Sequence, residues 1–492
     1  MKKRFLGVLA ITIAFTACQP KKQETYVSPQ IQQQTLSEFR DGTYLIALKN
    51  QSSSLKELSR SFANNRSFSK NAGNFRENIK NIRLELNEYN KEASHLISQD
   101  FKEFDLTSKQ VKSVFTNTVS GFIANLTAEQ VSVLQKHPNV KSIELVPNGE
   151  LSDLELTFSE YVNPTTITRN PQVWSGNPFN TTVKSWGYEV VRGNTELPLN
   201  TTNNIWIFDS GVDLDHPDLN LLASDSWVKQ DAEDLNGHGT HVAGIIAAKR
   251  NNGIGIDGVQ TNPVICIQVG GATGGGDIQA AEFLSALDAY YNAGILVAGD
   301  VVNMSFTFSG TSQFVTDFMR EFADRGIKFV MAAGNNVTNA ANFPLASAAL
   351  PVSDESKNAT LVAPNGSLIK HYKNIYVVSA FDKNREFATR YSNYGAAVNI
   401  SAPGTNIVSL YKDGGYSVKS GTSMAAPYVA GLLIYGEIYS FRQGFMDRYV
   451  EYFNGSYFSS LVNTPFVSND NDGRPDFRIV KRFSNLNAVR VQ

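Results

Sequence analysis

The sequence predicts an α/β protein with a parallel central sheet and helices on both faces, preceded by a small α+β domain. Three observations carry this. Five short apolar runs, Ile205–Phe208, Val264–Val269, Val301–Met304, Phe329–Ala332 and Tyr376–Ser379, read as buried strands. Helical stretches separate several of them, for example His238–Ala248, Ile278–Asn292 and Ser312–Arg325, and strands alternating with helices build parallel sheets. The chain has 492 residues, too many for one core when domains usually run ~100–200 residues. Its hydrophobic share is 42% and its charged share 18%, so it can bury a sizeable core, and a net charge of -2 leaves no basic excess for nucleic acid.

Taken in order, the chain opens on a leader. Lys2-Lys3-Arg4 is a positive start, and Phe5–Ala17 is an apolar run too short to cross a bilayer comfortably. Residues 1–17 therefore read as a signal peptide, and the protein as exported. Phe15-Thr16-Ala17-Cys18 resembles a bacterial lipobox, which makes Cys18 the expected lipidation site and the precursor a membrane-anchored lipoprotein. An ordinary signal peptide cut nearby is the alternative. Residues 18–41, polar and Gln-rich as far as Leu36, read as a flexible tether.

Residues 42–150 read as the small α+β domain. Thr43–Leu48 is one strand and Val114–Ala124 holds a second. Thr127 and Gln130 form a capping box for a helix over Thr127–Leu134, and Lys141–Val146 is a further strand. Between the first two strands, Ile79, Ile82, Leu86, Tyr89, Ala93 and Leu96 recur at spacings of three and four, which predicts an amphipathic helix. Residues 151–182, with Pro164, Pro171 and Pro178, read as a linker, and 183–492 as the large α/β domain.

The chemistry sits in four short segments. Phe208-Asp209-Ser210-Gly211 puts a carboxylate at the end of a buried strand. Asn236-Gly237-His238-Gly239-Thr240-His241 puts an imidazole at the start of a helix. Ser420-Gly421-Thr422-Ser423-Met424-Ala425-Ala426-Pro427 puts a hydroxyl before a helix expected over Met424–Gly436, where a backbone N–H can donate outward. A serine needs a base to take its proton, and a buried carboxylate fixes the tautomer of that base. Met331-Ala332-Ala333-Gly334-Asn335 supplies a fourth group at a strand end.

These four segments, in the order Asp, His, Asn, Ser, resemble the subtilisin-like serine proteases. The resemblance covers about Trp186 to the C-terminus, and residues 42–150 resemble the inhibitor propeptide of that family. It implies a serine endopeptidase with Asp209, His238 and Ser423 as the catalytic triad and Asn335, paired with the Ser423 N–H, as oxyanion donor. It also implies a self-processing zymogen whose propeptide is its own inhibitor and whose mature domain is periplasmic or extracellular. Ala333-Gly334-Asn335-Asn336, Asn342-Phe343-Pro344 and Arg390–Gly395 are similar to the proteinase K branch. By resemblance the peptide substrate adds as a β-strand between Gly274-Gly275-Gly276 and Ser305-Phe306-Thr307, which names Gly275, Gly276, Ser305, Phe306, Thr307 and Gly334 as substrate contacts. Phe306 and Thr307 replace the Leu and Gly usual there, and the Cβ and hydroxyl of Thr307 predict a narrow side-chain preference. The family's closing helix is expected at Leu486–Arg490.

Other conspicuous residues receive plainer readings. His241 is expected to be packed and hydrogen-bonded, His216 to be a loop residue, and Cys266 to be a small core hydrophobe. Neither His-x-x-x-His nor Cys-x-x-Cys spacing suggests zinc. No cofactor is needed for the chemistry. Structural calcium is left unassigned: Asn399 stands where the proteinase K branch has a calcium-binding Asp, and Asp470–Asp476 reads as an Asx/Gly turn before a calcium loop. The long stretch Leu345–Lys373 reads as a flap, an exosite or a solvated loop.

Overall fold

The computed structural model describes residues 39–64, 72–116, 119–151, 173–174, 178, 182–191, 202–362, 368–384, 387–435, 439–442, 448–453 and 456–461. The leader with Cys18, most of the tether and the 151–182 linker, the Asp470–Asp476 turn and the Leu486–Arg490 helix lie outside the described residues. The described elements belong to one compact unit, Arg40–Gln492.

The core is a seven-stranded sheet in the order Ile400–Pro403, Ile375–Phe381, Lys328–Ala332, Val301–Met304, Ile205–Asp209, Val264–Gln268, Leu221–Ser226, with every pair parallel. All five runs anticipated from the sequence are in it. Side chains alternate across a strand, so Trp206 and Phe208 face one hydrophobic cluster while Ile205 and Ile207 face the other. Helices Ala280–Asn292 and Gln313–Asp324 cover the first face through Phe283, Leu287, Phe314 and Phe318. Helices His238–Ala247 and Thr422–Leu433 cover the second. Cys266 is buried among them as a thiol pushed well above its ordinary range by burial.

Two strands escaped the sequence reading, Leu221–Ser226 and Ile400–Pro403, and both are sheet edges. An edge strand needs no continuous apolar run: Leu221–Ser226 carries Ser224, Asp225 and Ser226, and Ile400–Pro403 ends in a proline.

The N-terminal domain is a four-stranded antiparallel sheet in the order Val111–Phe115, Gly121–Leu126, Gly42–Leu48, Val140–Leu145. The single strand expected within Val114–Ala124 is a correction: the stretch joins two paired strands, and polar Thr116 and Ser120 flank the reversal. Helix Ala128–Leu134 has the expected capping box, with Gln130 N donating to Thr127 Oγ1 (3.2 Å) and Thr127 N to Gln130 Oε1 (3.1 Å). The insert is helix Ala72–Asp100, preceded by Ser53–Asn64. Ile79, Ile82, Leu86, Tyr89 and Ala93 are buried as the period required, whereas Leu96 is half-buried and Ile97 takes its place.

The small domain packs directly on the large one. Leu45, Ala47, Ile79, Ile82, Phe115 and Ile123 share a hydrophobic cluster with Phe314 and Phe318. Glu144 accepts from Ser312 Oγ (2.6 Å) and Phe314 N (3.2 Å), capping the N-terminus of helix Gln313–Asp324, and Lys141 pairs with Asp317 (3.0 Å). From the insert, Arg83 pairs with Asp225 (3.1 Å), donates to Ser226 O and lies over the Trp227 ring (5.7 Å).

Leu345–Lys373 folds as a short helix, Pro344–Ser347, and a hairpin, Asn358–Val362 with Leu368–Tyr372. Its base is tied to helix Gln313–Asp324. Tyr372 Oη donates to Asp324 Oδ2 (3.0 Å), Lys357 pairs with Asp324, and the Arg320 guanidinium sits 5.0 Å above the Tyr372 ring. Beyond residue 438 the backbone forms a three-stranded antiparallel meander, Tyr439–Arg442, Arg448–Phe453 and Ser456–Leu461, which the sequence reading did not anticipate.

Candidate active site

The four singled-out segments lie at one end of the parallel sheet and are tied by hydrogen bonds into two pairs, Asp209 with His238 and the Gly334-Asn335 turn with Thr422 beside Ser423. Asp209 closes strand Ile205–Asp209 and is 1% exposed. Its Oδ1 accepts from His238 Nδ1 (2.7 Å) and from Ser210 N (2.8 Å). Since an ionised carboxylate can only accept, Nδ1 carries the proton, and the neutral imidazole presents Nε2 as its basic nitrogen. Burial pushes the Asp209 carboxyl above the usual carboxylate range, and the neighbouring imidazole pulls it back.

His238 is the first residue of its helix. The turn before it is held by a group the sequence reading missed, Asp234. This 2%-exposed carboxylate accepts from Ser210 Oγ (2.9 Å), Gly237 N (2.8 Å), Thr240 N (2.9 Å) and Thr240 Oγ1 (2.7 Å). Ser210 Oγ in turn accepts from Gly239 N (2.9 Å). Asp234 thus locks the strand end that carries Asp209 to the helix start that carries His238. The signal was available: Asp-Leu-Asn-Gly just before a helix is an Asx-turn sequence.

Ser423 lies one residue inside its helix, which begins at Thr422 rather than at the expected Met424. Its N–H therefore falls in the first turn, where helical amides have no intrahelical acceptor. Ser423 Oγ donates to Ser305 O (2.7 Å), and Ser305 Oγ donates back to Ser423 O (2.9 Å) while accepting from Asn303 Nδ2 (3.0 Å).

Asn335 is oriented by Thr422. Its Oδ1 accepts from Thr422 N and Thr422 Oγ1, both at 3.0 Å, and only the carbonyl end of an amide can do that. The opposite end, Nδ2, is buried with no acceptor, an unspent donor of the kind that calls for explanation. Thr422 Oγ1 also accepts from Gly334 N (3.0 Å). Gly334 has φ +99°, and a Cβ there would collide with Asn393 Nδ2, so its role is backbone geometry. Asn393, in the Arg390–Gly395 stretch, fixes the same loop by donating to Ala333 O (2.9 Å) and accepting from Asn336 N (2.9 Å) and Thr338 N (3.0 Å).

Beside Ser423 the chain already holds a strand in a cleft. Asn148–Leu151, the end of the N-terminal domain, lies antiparallel between Asp277–Gln279 and Phe306–Phe308. Leu151 pairs with Phe306, the residue after Ser305, so this strand runs towards the Ser423 hydroxyl. Thr307 faces Glu150. The Phe306 side chain is fully buried, against Phe283 and Phe308. The other wall meets this strand mainly beyond the three glycines. The ladder runs through Asp277–Gln279 and takes in Gly276 only through its carbonyl, which accepts from Leu151 N (2.9 Å). The carbonyls of Gly274 and Gly275 accept from Asn236 Nδ2 instead (3.1 and 3.0 Å).

His241 is fully buried, with Nε2 within 3.1 Å of both Ile407 O and Ser417 O. His216 is a buried loop residue; its Nδ1 accepts from Asp218 N (3.2 Å) and its Nε2 lies 2.9 Å from Gly415 O. The amide of Asn399 accepts from Val377 N (3.0 Å) and donates to Ile375 O (2.9 Å), a donation no carboxylate could make. Among the described residues no group of three or more His, Cys, Asp or Glu is placed to hold a metal ion.

Burial lowers the His241 imidazole to about 3 and that of His371 to about 4. In the unfolded chain both titrate near 6.5. Below that value the unfolded state binds more protons, so stability is full above about pH 6.5 and declines as pH falls towards 4. Replacing His371 by Gln should flatten this acid slope by about one proton, measured as Tm between pH 7 and 5; an unchanged slope would contradict a neutral, buried His371.

Comparison with known proteins bears on this site. Residues 203–436 match the Subtilase family, peptidase S8, and residues 43–145 match peptidase inhibitor I9. Subtilisin Savinase of Lederbergia lenta is 33% identical over 46% of this chain and 72% of its own length. An alkaline protease of Alkalihalobacillus alcalophilus is 29% identical over 67% of this chain and 78% of its own. Alkaline serine exoprotease A of Vibrio alginolyticus is 30% identical over 66% of this chain and 53% of its own, so the match spans about half of that relative. Among solved structures, a cold adapted subtilisin-like serine proteinase shares 27% identity over 51% of this chain and 83% of its own, with a TM-score of 0.38.

Proposed function

Because this chain belongs to the subtilase family of serine endopeptidases and carries an I9-type propeptide, we propose that it is a secreted protease, made as a zymogen, that cleaves proteins through Asp209, His238 and Ser423. The observation that carries this reading is the buried Asp209–His238 bond at the same sheet end as Ser423 and the unspent Asn335 amide. His238 Nε2 takes the Ser423 proton as Oγ attacks the substrate carbonyl. Asp209 steadies the imidazolium that results. The negative charge that grows on the carbonyl oxygen is met by Asn335 Nδ2 and the Ser423 N–H. The proton then passes from His238 to the leaving amine, and water repeats the sequence on the acyl group. Residues 42–150 act as the propeptide, 151–182 hold the cut, and 183–492 are the catalytic domain. The test is whether the purified chain shortens itself and digests casein; a chain that does neither overturns the reading.

The strand Asn148–Leu151 explains how the propeptide inhibits. It sits where a substrate strand would add, and its domain is held by the Glu144 cap and the Arg83 contact. Removing Arg83 leaves Asp225, whose side chain is 9% exposed, with Tyr290 Oη and Ser226 N as its donors among the described residues. With the Arg83 side chain 31% exposed, its loss should weaken the propeptide's hold by about 2 kcal/mol. Arg83→Ala should therefore show protease activity sooner after self-cleavage than wild type; an identical lag would show that Arg83 contributes nothing.

The finer affiliation with the proteinase K branch is supported by the Arg390–Gly395 stretch and the Asn393 contacts it makes. Lipidation of Cys18 would place the anchor on the propeptide, so that processing frees the catalytic domain. Precursor that partitions into detergent equally with and without Cys18→Ala would argue against it. No helix among the described residues is long and apolar enough to cross a membrane.

A further inference from the structure

We infer that the cleft contains a glycine-selective subsite walled by Ile278 and Phe308, so that this protease prefers segments with glycine at one fixed position upstream of the cut bond. The inference rests on the reading of Asn148–Leu151 as a strand lying where substrate lies, and it adds a selectivity that neither the triad nor the family implies.

The observation is Gly149. It pairs with Ile278 on one side and Phe308 on the other. A Cβ placed on it would come within 2.5 Å of Ile278 O, 2.9 Å of Ile278 Cβ and 3.0 Å of the Phe308 ring. Gly149 is not among the residues of positive φ, so backbone conformation does not demand glycine here. Space does.

Neither wall can easily retreat. The Ile278 strand is pinned from behind, where Gln279 N donates to Val269 O (2.8 Å) and Gly271 N to Asp277 O (2.9 Å). The nearest obstacle is a backbone carbonyl, which no rotamer change removes. The Phe308 ring is fully buried, with its centroid 5.4 Å from that of Phe306 and 5.8 Å from that of Phe283. Forcing a methyl group into a site closed on both sides strains a well-packed core. A substrate with a side chain at this position must sit farther from one wall and lose ladder hydrogen bonds near Ser305. That displacement is felt at the reacting carbonyl, where small misplacements are costly. The narrowing expected at Thr307 therefore arises one residue later on that strand and on the facing one.

The test is a cleavage profile. Processed wild-type enzyme digests a denatured protein mixture, and the new termini are read by mass spectrometry. Glycine should be enriched about ten-fold at a single upstream position, the scale on which a closed pocket rejects one extra carbon. Two synthetic peptides covering residues 145–158, with Gly149 or with Ala in its place, should differ in kcat/KM by about ten-fold or more in the same direction. Digestion with no upstream glycine enrichment overturns the inference and leaves the protease reading intact. Peptides cut within two-fold of each other overturn it as well. Failure to cut either peptide, while casein is digested, overturns the substrate-like placement of the strand on which the inference stands. A chain that digests nothing overturns the protease reading itself.

Discussion

Replacing Ser423 by alanine should leave the chain unshortened and remove casein digestion, while the fold stays intact. The expected loss in kcat is about six orders of magnitude, the scale on which a subtilisin responds to loss of its nucleophile. The physical reason is that the reaction loses its attacking oxygen, not an accessory contact. Ser423 Oγ makes one hydrogen bond, to Ser305 O, and alanine fits the same helix turn, so stability should change by no more than about 1 kcal/mol. Gel mobility of the purified chain, a casein assay and a thermal melt check all three points together. A Ser423→Ala chain that still shortens itself would move the nucleophile elsewhere.

Asn335→Ala should lower kcat by about 10²–10³ with little change in KM, again a magnitude taken from a subtilisin oxyanion residue. Nδ2 has no acceptor in the resting fold, so its loss removes no ground-state hydrogen bond, although alanine also takes away the Oδ1 that accepts from Thr422. In the proposed mechanism only the developing oxyanion uses it. Asn335→Asp is the more informative variant. It keeps the oxygen that accepts from Thr422 N and Thr422 Oγ1, so the loop should hold, but it replaces a donor with a negative charge facing the oxyanion. Activity should fall at least as far as in Asn335→Ala. A variant with kcat near wild type would remove Asn335 from the mechanism.

Much of the fold was legible because buried parallel strands announce themselves as apolar runs. Ile205–Phe208 and Val301–Met304 needed no context. The edges, Leu221–Ser226 and Ile400–Pro403, were not legible, because an edge strand with one neighbour tolerates the serines and the proline they contain. The hairpin inside Val114–Ala124 was hidden for a related reason: two short strands and their turn carry enough apolar residues to resemble one. In the candidate site, Asp209, His238, Asn335 and Ser423 could be named from four short segments and the family resemblance they carry. Asp234 carried only a local turn signal, since its weight comes from bonding two segments at once, Ser210 at the strand end and Gly237 and Thr240 at the helix start.

The sequence by itself determined which residues are candidates for the chemistry, because each sits in a short segment whose backbone conformation is set locally: a strand end for Asp209, helix starts for His238 and Ser423. Tertiary structure alone decided what surrounds them. It set which end of the Asn335 amide is free, by placing Thr422 against the other. It set where the cleft ladder runs, along Asp277–Gln279 and the Gly276 carbonyl, while Asn236 claims the carbonyls of Gly274 and Gly275. It also placed Gly149, at the end of the small domain, between Ile278 and Phe308 with no room for a Cβ. Contacts between residues more than a hundred positions apart, such as Gly149 with Ile278 and Phe308, depend on how the domains dock, and no local pattern encodes that.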